Sequence, residues 1–258
     1  MATLIEIIIL AIIQGITEWL PVSSSGHLVL AQEFFQMQQP LIFDVMLHFG
    51  TLIVVIVVFR KDIVSILKAL VKRDFDSEDG KIATYIILGT IPTAIIGYVF
   101  HDYVESLFHN PLAVGIAMLF TGSMLFLSER RESGQSLGLI DSLFMAFAQV
   151  VSIIPGVSRS GSTISTGLLR GVDKQKVFKF SFLLAAPSIL GATVYEAKDA
   201  VIQGVDLLPM LFGAFISMVV GYLALKALQK VLMRQQLHYF AYYCWALGSI
   251  VILALLLR

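Results

Sequence analysis

The chain has 258 residues, of which 57% are hydrophobic and 14% charged, and its mean hydropathy is +0.86. An ordinary soluble domain carries roughly 25% charged residues, so this composition excludes a water-soluble globule and points to an integral membrane protein. Eighteen basic and eighteen acidic side chains balance, which argues against nucleic acid or any strongly charged macromolecule as partner.

In chain order, the first element is residues 3–36, apolar at both ends and broken in the middle. Residues 4–13 lead into Gln14-Gly15-Ile16-Thr17-Glu18-Trp19-Leu20-Pro21-Val22-Ser23-Ser24-Ser25-Gly26-His27, and residues 28–35 follow. Each apolar half is half the length of about 20 residues that a bilayer core requires, so this segment predicts a re-entrant hairpin. Three apolar runs come next, at 41–59, 82–100 and 112–127. A second broken segment, 140–169, holds Gln149-Val150-Val151-Ser152-Ile153-Ile154-Pro155-Gly156-Val157-Ser158-Arg159-Ser160-Gly161-Ser162-Thr163. Three more runs close the chain, at 177–194, 207–225 and 239–257. Proline and glycine break helix hydrogen bonding. At membrane depth the freed groups are tolerated only inside protein or against a watery cavity. No basic region precedes the first apolar run, so no cleaved signal peptide is expected.

Threading six spans with two returning hairpins sorts fifteen Lys and Arg onto one side, in the loops at 60–81, 130–131, 170–179 and 226–234, against Lys198 and Arg258 on the other. The positive-inside rule places the first group in the cytoplasm and both chain ends outside. Had 140–169 crossed fully, the basic residues after it would change sides and the asymmetry would vanish.

The two broken segments align at one offset. Gln14 matches Gln149, Val22 matches Val157, Ser23 matches Ser158, Ser25 matches Ser160 and Gly26 matches Gly161. Each is followed by three spans, and an odd number of crossings turns the second copy over. The expected fold is therefore all-α and integral to the membrane: six transmembrane helices plus two re-entrant helical hairpins in an inverted-topology repeat. It forms a single membrane domain, with repeat one at 1–128 and repeat two at 140–258.

Ionisable groups within the membrane are costly and mark function by default. The expected buried set is Glu18, His27 and Arg159. Arg159 presents a planar fork suited to phosphate oxygens. Ser23, Ser25, Gly26, Ser158, Ser160, Gly161 and Thr163 add hydroxyls and closely approaching backbone, and helix N-termini after each Ser/Gly run favour an anion. Glu18 can act as metal ligand or general base, and His27 as acid, base or nucleophile. A purely structural Glu18–Arg159 ion pair is the bland alternative. Gly213, Ser217 and Gly221, at spacing four, read as helix-packing residues. Cys244 reads as a core residue, and Asp44 and Glu6 as hydrated outer-end carboxylates. Tyr239, Tyr242, Tyr243 and Trp245 read as an interfacial belt. His48, His101, His109 and His238 receive no role.

At Gly15-x-Thr17-Glu18-x-Leu20-Pro21-Val22-Ser23-Ser24-Ser25-Gly26-His27 and Pro155-Gly156-x-Ser158-Arg159-Ser160-Gly161-x-Thr163, the sequence resembles the undecaprenyl-diphosphate phosphatase family, the bacitracin-resistance membrane phosphatases. The resemblance covers nearly the whole chain. Shorter matches are Gly89-x-x-Pro92 and 180–187. It implies hydrolysis of undecaprenyl diphosphate to the monophosphate and phosphate, recycling the lipid carrier of cell-wall synthesis at the plasma membrane, with a site opening to the outer face. The family's essential acid, serine, histidine and arginine match Glu18, Ser24, His27 and Arg159. It also implies Mg²⁺ or Ca²⁺, with Glu18 as ligand; Gln14 stands where an acidic or amide residue occurs in the family, and it offers only a neutral oxygen to a metal. Expected partners are the polyprenyl diphosphate, membrane lipids and a second copy in a homodimer. The rival class is a lipid-phosphate flippase or secondary transporter, since inverted repeats with broken helices suit alternating access.

Overall fold

The computed structural model describes residues 3–37, 41–129, 134–202 and 207–257. Met1, Ala2, Arg130, Arg131, Arg258 and the side chain of Lys198, which enter the charge argument or the ends of the chain, lie outside the described residues. Among those described, the chain folds into twelve helices. They are α1 Leu4–Trp19, α2 Ser24–Phe34, α3 Leu41–Val58, α4 Arg60–Lys72, α5 Glu78–Val99, α6 His101–Phe108, α7 Pro111–Ser128, α8 Leu139–Val151, α9 Arg159–Leu169, α10 Lys174–Ile202, α11 Leu207–Met233 and α12 His238–Leu256.

Five of these (α5, α7, α10, α11 and α12) are long and apolar enough to cross a membrane. A sixth is reached by counting α3 with α4, from which it bends by 79°. That length and composition make the chain an integral membrane protein. The polar stretch after α3 is not loop throughout: α4 occupies most of it, ending at Arg73 in the left-handed region at φ 55°. Lys, Gln and Leu are good helix formers, so helices continue past the apolar runs. For the same reason α10 reaches 29 residues and α11 27.

Local sequence starts several helices. Thr3 and Glu6 form a capping box on α1, and Asn110 caps α7 with Pro111 in its first turn. These side chains satisfy backbone N–H groups that a helix leaves unpaired.

The helices pack α7 on α12, α1 on α11, α3 on α10 and α11, α5 on α8 and α10, and α9 on α7, α8 and α10. Small residues let the backbones approach, as membrane interfaces require. Gly213 faces the side chain of Leu47, Gly221 faces Trp19, and Ser217 donates to the Leu47 carbonyl at 2.9 Å, which is the expected packing role. Cys244 is fully buried, its thiol toward the Pro21 carbonyl at 3.8 Å. The tightest approach between two of the packed helices is at Gly50, where a Cβ would lie 2.1 Å from the Ala214 carbonyl oxygen. Gly50→Ala is expected to push α3 from α11 and cost about 1–3 kcal/mol, read as a lowered unfolding temperature in detergent.

Candidate functional site

The site forms where two turns meet. Helix α1 ends at Trp19, the chain turns through Leu20–Val22, and Ser23 caps α2 at φ 70°. Helix α8 ends at Val151, and Ser158 caps α9. The two caps are alike: Ser23 Oγ accepts from the Gly26 N–H at 3.2 Å, and Ser158 Oγ from the Gly161 N–H at 3.0 Å. The repeated Ser-x-x-Gly spacing in the sequence is this capping bond.

The turns are also stitched together. Ser23 Oγ accepts a second bond from the Gly156 N–H at 3.1 Å. Gly156 has φ 94°, and a Cβ there would lie 2.6 Å from the Val114 carbonyl oxygen, so both conformation and space demand glycine. Ser160 Oγ donates to the Leu20 carbonyl at 3.3 Å. Thr121 of α7 accepts from the Ser158 N–H at 3.1 Å.

This stitching places Glu18 against Arg159. The Glu18 carboxylate is 6% exposed and ion-pairs with Arg159 Nη2. It also accepts from Ser24 Oγ at 2.7 Å and Gln14 Nε2 at 3.0 Å, and meets His48 Nε2 at 3.2 Å. The Arg159 guanidinium lies 5.4 Å from the centre of the Trp19 ring, a cation–π contact. Its Nη1 is buried with no partner among the described residues.

Glu18, Ser23, Ser24, Ser25, Ser158 and Arg159 line one cavity of about 550 Å³. The other expected site residues stand outside its lining. His27 Nδ1 donates to the Ser23 carbonyl at 2.7 Å, which leaves Nε2 to accept from the Tyr243 hydroxyl at 2.7 Å. Tyr243, expected in an interfacial belt, is thus tied to the first turn. Thr163 donates to the Arg159 carbonyl at 2.8 Å and meets Ser181 Oγ at 2.6 Å. Gly26 and Gly161 give their N–H groups to the caps. Gln14 lies behind Glu18, fully buried, its Oε1 without a partner among the described residues.

Two readings of α3 need correcting. His48, given no role, lines the cavity and reaches Glu18, its Nδ1 donating to the Asp44 carbonyl at 2.8 Å. Asp44 is not hydrated: its carboxylate is buried and accepts from Gln32 Nε2 at 2.9 and 3.0 Å. The signal was in the sequence. Asp44, His48 and Thr51 fall at spacings four and three, one helix face of polar groups inside an apolar run. Thr93, Gln149, Ser152 and Ser188 also line the cavity, and no motif marked them as a group.

The sequence matches the family model described as "Bacitracin resistance protein BacA" over residues 7–250. It is 41% identical over 257 residues to the undecaprenyl-diphosphatase of Carboxydothermus hydrogenoformans, covering 96% of this chain and 95% of that protein. Identity is 43% over 266 residues to the undecaprenyl-diphosphatase of Methanobrevibacter smithii, covering 96% of each. A third protein of that name, from Rubrobacter xylanophilus, is 37% identical over 272 residues and covers both chains fully.

The double duty of Ser23 gives an expected order of stabilities. Ser23→Ala strands the Gly26 and Gly156 N–H groups and should cost about 1–3 kcal/mol. Ser158→Ala loses one cap bond and should cost about 1 kcal/mol. Thermal unfolding of both variants in detergent checks the order.

Proposed function

The chain belongs to the bacitracin resistance protein BacA family, and from that premise we propose that its paired turns form the centre at which undecaprenyl diphosphate is hydrolysed. The protein is an undecaprenyl-diphosphatase: it converts undecaprenyl diphosphate to undecaprenyl phosphate and inorganic phosphate, which returns the lipid carrier to cell-wall synthesis. One observation carries the placement of the chemistry. Arg159 is fastened through Nη2 to Glu18, which leaves Nη1 a buried donor with no partner among the described residues, on a residue that lines the cavity together with Ser24, Ser25 and Ser158.

In this reading Arg159 Nη1 and those hydroxyls hold the oxygens of the terminal phosphoryl group. Positioning and charge neutralisation dominate phosphoryl transfer. Ser24 donates to Glu18 at 2.7 Å, the nucleophile–base arrangement, and Arg159, His48 and Gln14 orient the base. Ser24 Oγ attacks the terminal phosphorus while its proton passes to Glu18. The bond from that phosphorus to the bridging oxygen breaks, and the lipid monophosphate leaves. Water then hydrolyses the phosphoserine, freeing phosphate and restoring the serine. His27, held by Ser23 and Tyr243, fixes the first turn. A hard divalent cation, Mg²⁺ or Ca²⁺, takes oxygen ligands; Glu18 would hold it at the cavity, with Gln14 behind that carboxylate offering an Oε1 that has no partner among the described residues, and the ion would supply positive charge against the diphosphate.

The α1–α2 and α8–α9 pairs are read as re-entrant hairpins of an inverted repeat with six spans. Exchange of the halves supports this. The packing of α1 on α11 answers that of α8 on α5, α3 on α11 answers α10 on α5, and α3 on α10 and α7 on α12 answer themselves. The cavity runs along the C-terminal halves of α5 and α10, away from Lys81, Lys174, Lys176 and Lys179 at their starts. By the positive-inside rule it opens on the outer face.

A transporter binds an anion without needing a serine on a buried carboxylate, so the Glu18–Ser24 bond favours the enzyme over the flippase. Purified protein in detergent, with no second compartment, should release phosphate from undecaprenyl diphosphate; no release would remove the reading. Arg159→Ala should lower turnover by roughly 10²–10³-fold, the scale for losing one donor to developing charge. Acid-quenched protein should carry phosphate on Ser24, and label on His27 instead would overturn the serine step. Chelation should stop release and added Mg²⁺ or Ca²⁺ restore it; unchanged turnover would exclude the cation.

A further inference from the structure

The cavity has two chemically different ends. One carries Glu18, Arg159 and the serines; the other is formed by α5 and α10, where Ala94, Gly97, Gly191 and Ala192 face it and Tyr98 meets Tyr195 edge to face at 6.2 Å. Gly97 and Gly191 differ from the other helical glycines. A Cβ at either meets nothing within 4 Å, whereas at every other described helical glycine it would lie within 3.1 Å of a neighbouring atom. Glycine weakens a helix relative to alanine. Elsewhere close packing offsets that loss, but at 97 and 191 no atom of the described residues uses the space.

A second observation points to a ligand. Gln149 is 2% exposed and lines the cavity, its Nε2 donating to Ser188 Oγ at 3.1 Å while Oε1 is buried without a partner among the described residues. Gln149 Oε1 and Arg159 Nη1 are thus buried polar atoms without a partner among the described residues, both in residues that line the cavity. Glu18, Arg159 and the serines of the two turns gather at one end; Ala94, Gly97, Gly191 and Ala192 line the other, with Tyr98, Tyr195 and His101 at its edge.

We propose that the isoprenoid chain of the diphosphate substrate leaves the cavity through an opening between α5 and α10, whose width Gly97 and Gly191 set and whose outer edge Tyr98 and Tyr195 close. This rests on the diphosphatase reading. A cavity of about 550 Å³ is of the size that takes a drug-sized molecule, roughly 300–1,000 Å³. It accommodates the diphosphate with the first isoprene units, and the rest of a long chain must pass into the bilayer. Tyr98 is 72% exposed, and Gly191 and Ala192 are exposed as well, so this edge faces outward from the protein.

The test is the ratio of kcat/KM for undecaprenyl diphosphate to that for geranyl diphosphate, whose chain ends inside the cavity. Gly97→Leu and Gly191→Leu are each expected to lower that ratio roughly tenfold or more, the scale on which a pocket rejects extra apolar bulk. An unchanged ratio overturns the proposal, whether both activities persist or both fall together. Melting curves identify a variant that fails to fold; Gly97→Ala and Gly191→Ala then carry the test, with a smaller fall in the same ratio expected. Wild-type protein that hydrolyses neither diphosphate would instead overturn the underlying functional reading.

Discussion

Glu18 and Arg159 are brought together across 141 positions of sequence, and their pairing constrains everything around it. Each ion taken from water costs several kcal/mol, and removing one partner leaves the other uncompensated. The carboxylate is therefore surrounded by donors from three elements: Gln14 on its own helix, Ser24 across the first turn, and His48 from α3. The arginine rests near the Trp19 ring on one side. A charge pair so enclosed forms only if both turns are in place, so neither half of the chain builds the centre alone.

The turns meet through backbone, which is why the sequence around them is small and hydroxylic. A turn buried in protein must find partners for every freed N–H and C=O. Ser23 takes two of them, one in each turn, and Ser158 and Thr121 take others. Much of the serine-rich motif is thus occupied with holding the backbone. Ser24, Ser25 and Arg159 are the residues that this frame presents to the cavity. The division explains how two similar motifs carry different chemistry: the caps are shared, while Glu18 faces Ile153, Ser24 faces Arg159 and His27 faces Ser162 at the common offset.

Around this centre, α5 and α10 supply a wall whose character changes along its length, from Thr93 and Ser188 near Gln149 to glycine, alanine and tyrosine farther out. An amphiphilic lipid headgroup and its first isoprenes present the same gradient. Helices that cross a membrane meet lipid on one face and protein on the other, so such a gradient is available wherever two of them part.

Composition and apolar runs determined membrane class, the approximate helices and the two breaks, because burial in lipid requires long apolar helices and tolerates few ionisable groups. The motifs also determined which chemistry was present, through Glu18, Ser24 and Arg159. Tertiary structure alone decided which groups share a cavity. His27, adjacent in sequence to the serines, turns to Tyr243, while His48, one polar position in an apolar run, reaches Glu18. Asp44 near a helix start is covered by Gln32, and α4 and α6 fill stretches that carry no apolar run. Sequence spacing specifies the face of one helix; which neighbour covers that face depends on how separate helices pack, and no local pattern contains that information.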